Sequence, residues 1–185
     1  MQKKAYIFLT AGFEEIEAVS VIDILRRADV NVEIVSITKN KKILGAHNIK
    51  ISADTPFFEK INLLDGDMLI LPGGQLGTKN LNACEKLKKL IQTYYDQNKY
   101  IAAICAAPLI LGEMGLLKGK KAVCYPGYEN TLVGAEIAKN ERVVVAGNII
   151  TSKGAGTAIE FALKLVEILV DKETAETLKK KMIVK

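Results

Sequence analysis

The chain has 185 residues, 49% of them hydrophobic, which is enough to bury one substantial core, and no break in composition marks a second domain; one domain over 1–185 is the expectation. The formal charge of +5 comes from lysines scattered along the chain with small clusters near Lys41, Lys88 and Lys180, and the absence of tryptophan or interleaved aromatics argues against a nucleic-acid partner. No apolar run is long enough to span a membrane, and the three cysteines, Cys84, Cys105 and Cys124, are too far apart for a CxxC-type metal or redox pair.

The start, Met1-Gln-Lys-Lys4, is basic like a signal n-region, but the apolar run Ala5–Leu9 is too short for an h-region; a cytoplasmic, reducing setting is expected. That run, continued to Thr10, reads as a strand, and Ala18, Val21, Ile22, Leu25 and Ala28 follow at helical spacing before Val32–Ile37 is extended again. A short hairpin around Ile43 and Ile49–Ile51, a buried strand Met68–Leu71 and a helix over Cys84–Gln97, with Asn82 as a candidate cap, come next. The strand Tyr100–Ile104 runs through Cys105 into a short helix ending near Gly115, and Ala122–Cys124 is extended. Val143–Ala146 and Ile149–Thr151 flank the turn signal Gly147-Asn148. Ala158, Phe161, Ala162, Leu165, Val166 and Leu169 mark an amphipathic helix, and Thr174–Met182 one more. Such alternation predicts an α/β three-layer sandwich with a mostly parallel sheet, whose ligand site belongs at the carboxyl ends of the strands.

Three of those ends carry chemistry. The first presents Glu14, Glu15 and Glu17 in the opening turns of a helix, where acids complement the helix dipole whatever else they do. The strand Met68–Leu71 ends in Pro72-Gly73-Gly74, which serves either as a tight turn or as backbone N–H donors to an oxyanion. The third is Cys105 on a strand-to-helix elbow, facing the unpaired N–H groups of a helix start that favour thiolate over thiol. A buried, inert cysteine is the competing reading of that segment alone. Acid, oxyanion donors and thiol on one sheet edge together make Cys105 the candidate nucleophile.

The motifs Gly12-Phe-Glu-Glu-Ile-Glu17, Leu71-Pro-Gly-Gly74, Ala102-Ala-Ile-Cys105-Ala-Ala-Pro108 and Thr151-Ser-Lys-Gly-Ala-Gly-Thr157 with Glu160-Phe161 resemble, over nearly the whole chain, the ThiJ/PfpI superfamily in its Parkinsonism-associated DJ branch, which includes bacterial YajL-like proteins. The resemblance implies a flavodoxin-like sandwich related to class I glutamine amidotransferase domains, a homodimer, and no cofactor or metal. It implies Cys105 as the reactive cysteine and Glu17 as the protonated carboxyl that donates to it. Gly74 and the N–H of Ala106 match the oxyanion donors, and Gly73 adjoins them as a candidate substrate contact. Where many members carry a histidine, this chain has Tyr125, a poor base near neutral pH but a competent hydrogen-bond donor; that departure argues against peptidase activity and for a slow enzyme. The only histidine, His47, reads from its polar surroundings as solvent-facing or capping, and the resemblance makes it and Arg27 candidate anion contacts toward a neighbouring subunit. Cys84 and Cys124 read as structural.

The activity so implied is that of a cysteine-dependent glyoxalase or deglycase acting on methylglyoxal, glyoxal or their early adducts. The rival is an oxidative-stress sensor or redox-controlled chaperone using the same thiol; the residues alone serve both.

Overall fold

The computed structural model describes residues 2–59 and 62–184; Met1, at the head of the n-region-like start, lies outside the described residues. The central sheet contains β1 (Lys4–Leu9), β2 (Asn31–Ser36), β5 (Thr55–Pro56), β6 (Met68–Leu71), β7 (Tyr100–Ile104), β10 (Val143–Ala146) and β11 (Ile149–Ser152), in the order β10-β11-β7-β6-β1-β2-β5. All neighbours run parallel except β10, which returns antiparallel from β11 through a turn at Gly147. Leaving out the two edge strands β10 and β5, the five remaining strands have the doubly wound order of flavodoxin-like sheets, whose switch point lies between β1 and β6.

Side chains alternate across this sheet with period two, and each face has its own core. Ala5, Ile7, Leu9, Met68, Ile70, Ala102 and Ile104 pack beneath α1 (Glu15–Arg27), α5 (Ala158–Leu169) and α6 (Lys172–Lys181). Tyr6, Phe8, Leu69, Leu71, Ile101 and Ala103 pack beneath α2 (Gln75–Asn82), α3 (Glu85–Asp96) and α4 (Pro108–Glu113). The i, i+3, i+4, i+7 set Ala18, Val21, Ile22 and Leu25 is buried as its spacing requires.

One local expectation is corrected, at Asn82, and two details lie outside the sequence reading. Helix α2 has only Leu76 and Leu81 as large apolar residues, five apart, and Gly77 lets its backbone lie against Gly12 and Phe13, where a Cβ would come within 2.9 Å of them. Asn82 ends α2 and donates to Glu113 instead of capping α3, whose N-cap is Cys84. The extended Ala122 region does not join the central sheet: β8 (Lys121–Ala122) pairs with β9 (Glu136–Ile137) in a separate ribbon, because Glu136 N–H bonds Lys120 and Ala138 N–H bonds Ala122. The predicted hairpin is present as β3 (Lys42–Leu44) paired with β4 (Lys50–Ser52). Among the described residues no helix is long and apolar enough to cross a membrane.

Candidate active site

The ends of β1, β6 and β7 deliver one cluster at the sheet's switch point. Cys105 follows β7 directly, with φ +66°, a conformation that costs a residue bearing a Cβ about 1–3 kcal/mol and turns the chain sharply before α4. Two hydrogen bonds hold that strain: Cys105 N–H to the Ser152 carbonyl at 3.0 Å and Tyr125 N–H to the Cys105 carbonyl at 2.7 Å.

Glu17 reaches the thiol from α1. Its carboxyl is fully buried, and Oε2 accepts the Gly73 N–H at 2.8 Å. Oε1 has no N–H or O–H partner among the described residues, and the sulfur of Cys105 faces the carboxyl as its hydrogen-bonding neighbour. Burial raises the Glu17 carboxyl to about 7, against the pull of the Gly73 N–H and the thiol, with the Glu14 charge adding to the rise. The Gly73 N–H engages Oε2, which leaves Oε1 as the carboxyl oxygen without a backbone donor.

The backbone N–H groups of Ala106 and Gly74 point at the Cys105 sulfur and favour its charged form. Gly74 has φ +90° at the start of α2, and a Cβ on it would lie 2.2 Å from the Gly12 carbonyl oxygen. Gly73 is as constrained from the other side: a Cβ there would stand 2.6 Å from Cys105 Cβ and 2.7 Å from Glu17 Oε2. Both glycines are therefore required by close approach.

The expectation of an unqualified low-pKa thiol is corrected. The helix after Cys105 has only six residues and begins at Pro108, so the dipole effect is small, whereas burial and a facing carboxylate push the thiol up to about 12. That value belongs to the state in which Glu17 is ionised. Thiol and carboxyl share protons as a coupled pair, and a proton held by Glu17 converts the repulsion into a hydrogen bond to thiolate.

Tyr125 stands beside this pair, half exposed, with its ring edge where a Cβ on Gly154 would lie 3.2 Å away; the same Cβ would be 3.9 Å from the Cys105 sulfur. The structure thus gathers Cys105, Glu17, Gly73, Gly74, Ala106 and Tyr125. Arg27 is not among them: it ends α1, ten residues and roughly 15 Å along the axis from Glu17, and pairs with Asp23 at 2.6 Å. His47 is exposed, with Nδ1 held 2.9 Å from Glu15 Oε2, so it engages the carboxylates flanking Glu17 and not the thiol. Cys124 is buried and packed in the core, and burial pushes its thiol up to about 11.

Two residues do more than the helix-dipole role expected of them. Glu14 is the N-cap of α1, its Oε2 accepting the Glu17 N–H at 2.7 Å. Glu15 accepts the N–H groups of His47 and Ile49 and so ties the β3–β4 hairpin to α1. The Glu14-x-x-Glu17 spacing carries a trace of the first role; the second joins residues 32 apart and left no local signal.

The chain belongs to the DJ-1/PfpI family, whose model matches residues 3–168. It is 40% identical over 174 residues to protein DJ-1 homolog B of Arabidopsis thaliana, covering 94% of this chain and 40% of that protein, and it spans 45% of the related homolog A. A relative from Schizosaccharomyces pombe named glutathione-independent glyoxalase DJ-1 is 31% identical, covering 92% of this chain and 93% of that protein. The solved structure of oxidized Toxoplasma gondii DJ-1 superposes with a TM-score of 0.91 at 35% identity, over 98% of each chain.

Proposed function

We propose that this protein is a cofactor-independent, cysteine-dependent glyoxalase or deglycase acting on small dicarbonyls such as methylglyoxal and glyoxal, or on their early adducts. The observation that carries the reading is the convergence on one sulfur of a buried carboxyl with a raised pKa and two backbone N–H groups. The glyoxalase name of the Schizosaccharomyces pombe relative supports the reaction class.

Cys105 thiolate attacks the aldehyde carbon, forming a C–S bond, and the new alkoxide takes the Glu17 proton while the Gly74 and Ala106 N–H groups steady the oxygen. Glu17, now a carboxylate, removes the hydrogen from that carbon and passes it to the neighbouring carbonyl oxygen, giving an enediol and leaving the carboxylate free again. Glu17 then takes the hydroxyl proton from the sulfur-bearing carbon and delivers it to the adjacent carbon, leaving a thioester of the 2-hydroxy acid. Water cleaves the C–S bond, releasing the acid and restoring the thiol and the carboxyl proton. Each Glu17 step uses a carboxyl that exchanges protons near neutral pH. Tyr125 offers a hydrogen bond to substrate in place of a second base.

A second copy of the chain is proposed to cover Ile16 and Val19 on α1 and Ile49 beside it, all exposed apolar side chains, as a homodimer; light scattering of the purified protein tests this. The sensor reading has one observation of its own: the N–H groups aim at the sulfur itself, where they would equally hold sulfinate oxygens. Product analysis with methylglyoxal, set beside mass spectrometry of Cys105 after mild peroxide, separates the two.

A further inference from the structure

We infer that Glu14 is a positioning residue for the Glu17–Cys105 pair: one carboxylate oxygen fixes the Glu17 backbone, and its charge, opposed by His47, keeps the shared proton on Glu17 and the negative charge on sulfur. The inference rests on the reading of Cys105 and Glu17 as the reacting pair. Its geometry is independent of that reading. Glu14 Oε2 caps α1 through the Glu17 N–H at 2.7 Å, and Glu14 N–H donates to the Gly73 carbonyl at 3.0 Å. Gly73 N–H in turn holds Glu17 Oε2, so both ends of the Glu14–Glu17 turn are fastened to the same glycine.

The other oxygen, Glu14 Oε1, lies 4.0 Å from His47 Nδ1, and the same imidazole nitrogen is 2.9 Å from Glu15 Oε2. The groups facing Glu17 are therefore the Cys105 thiol from the β7 elbow, the Gly73 N–H from the end of β6, and Glu14 from its own helix; those facing Glu14 are Glu17, Glu15 and His47 from the hairpin. Glu14 opposes ionisation of Glu17, whose own backbone it caps at 2.7 Å, whereas the leading influences on the Cys105 thiol, on a different element, are burial, Glu17 and two N–H groups. A charge placed nearer one partner of a proton-sharing pair shifts the proton between them. Hydrogen bonding to Glu15, with the Glu15 charge beside it, raises the His47 pKa and favours the imidazolium that opposes Glu14.

The test is the pH profile of Cys105 alkylation by iodoacetamide, read at that site by mass spectrometry, with folding checked by circular dichroism. Glu14→Gln keeps an oxygen that accepts the Glu17 N–H but removes the charge; the proton then shifts from Glu17 to sulfur, and the rate at and below neutral pH, where Glu17 still holds its proton, falls on the order of threefold or more. Glu14→Asp keeps charge and cap and retains the wild-type profile. His47→Asn removes the opposing cation and moves the profile the other way below neutral pH. An unchanged profile in Glu14→Gln overturns the inference, as does an equal change in Glu14→Gln and Glu14→Asp, which would mark shape and not charge as the cause. Alkylation needs no dicarbonyl, so a protein that fails to convert methylglyoxal refutes the proposed function while this readout still decides the role of Glu14.

Discussion

Gly73 and Glu17 grip each other across the switch point of the sheet: the Gly73 N–H donates to Glu17 Oε2 at 2.8 Å, and only the missing side chain of Gly73 leaves room for that carboxyl beside the Cys105 thiol. The contact ties α1 to the end of β6 and leaves Oε1 as the carboxyl oxygen without a backbone donor. Gly73→Ala should therefore displace both reacting groups. The added methyl would meet Cys105 Cβ at 2.6 Å and Glu17 Oε2 at 2.7 Å, so we expect about 1–3 kcal/mol of destabilisation by urea unfolding, together with a distorted pH profile of Cys105 alkylation. Wild-type stability and profile would show that the crossing is looser than 2.6 Å of Cβ–Cβ separation implies.

Glu17 also predicts how stability follows pH. Its folded pKa is raised to about 7 from an unfolded value of 4.5, so the folded state binds the proton more tightly than the unfolded state. This contribution is fully present below pH 4.5 and is lost as pH rises to about 7, a change of about 3 kcal/mol at most. Glu17→Gln removes the titration. The difference in unfolding free energy between the two proteins should move in favour of the variant from pH 4.5 to pH 7.5; a difference that stays flat would place the carboxyl in a wetter environment than its burial indicates.

Much of this architecture was legible in the sequence, and the exceptions have physical reasons. The strands show as short apolar runs and α1 as a clear 3.6 period, so the strand ends could be searched for chemistry, and Cys105, Glu17, Gly73 and Gly74 do meet there. Helix α2 was missed because its two large apolar residues, Leu76 and Leu81, stand five apart, and the close approach at Gly77 is a tertiary contact. The titration of Cys105 was misjudged for a related reason. Its nearest backbone donors could be placed by a local reading, but desolvation and the facing Glu17 arise only when α1 packs against the elbow. His47 and Glu15 join across 32 residues, which no local motif announces.

Tyr125 gives a gain-of-function prediction. Its ring stands beside Gly154 and its N–H holds the Cys105 carbonyl, so a side chain here lies at the mouth of the site without disturbing the elbow backbone. Tyr125→His places an imidazole with a pKa near ~6.5 at that mouth and should raise dicarbonyl turnover, by less than the ~10²-fold that a fully supported base supplies. The increase should vanish when Cys105→Ser is added. No increase would mean that proton transfer by Glu17 alone already suffices, or that Tyr125 does not meet substrate.

The most direct test of the whole account follows methylglyoxal by NMR with wild type, Cys105→Ser and Glu17→Gln side by side. We expect lactate from the wild type, none above background from Cys105→Ser, and none from Glu17→Gln even though its thiol is alkylated at neutral pH at least as fast as in the wild type, because the amide donates a hydrogen bond but exchanges no proton. No lactate from the wild type, or lactate that persists without Cys105, would contradict the account.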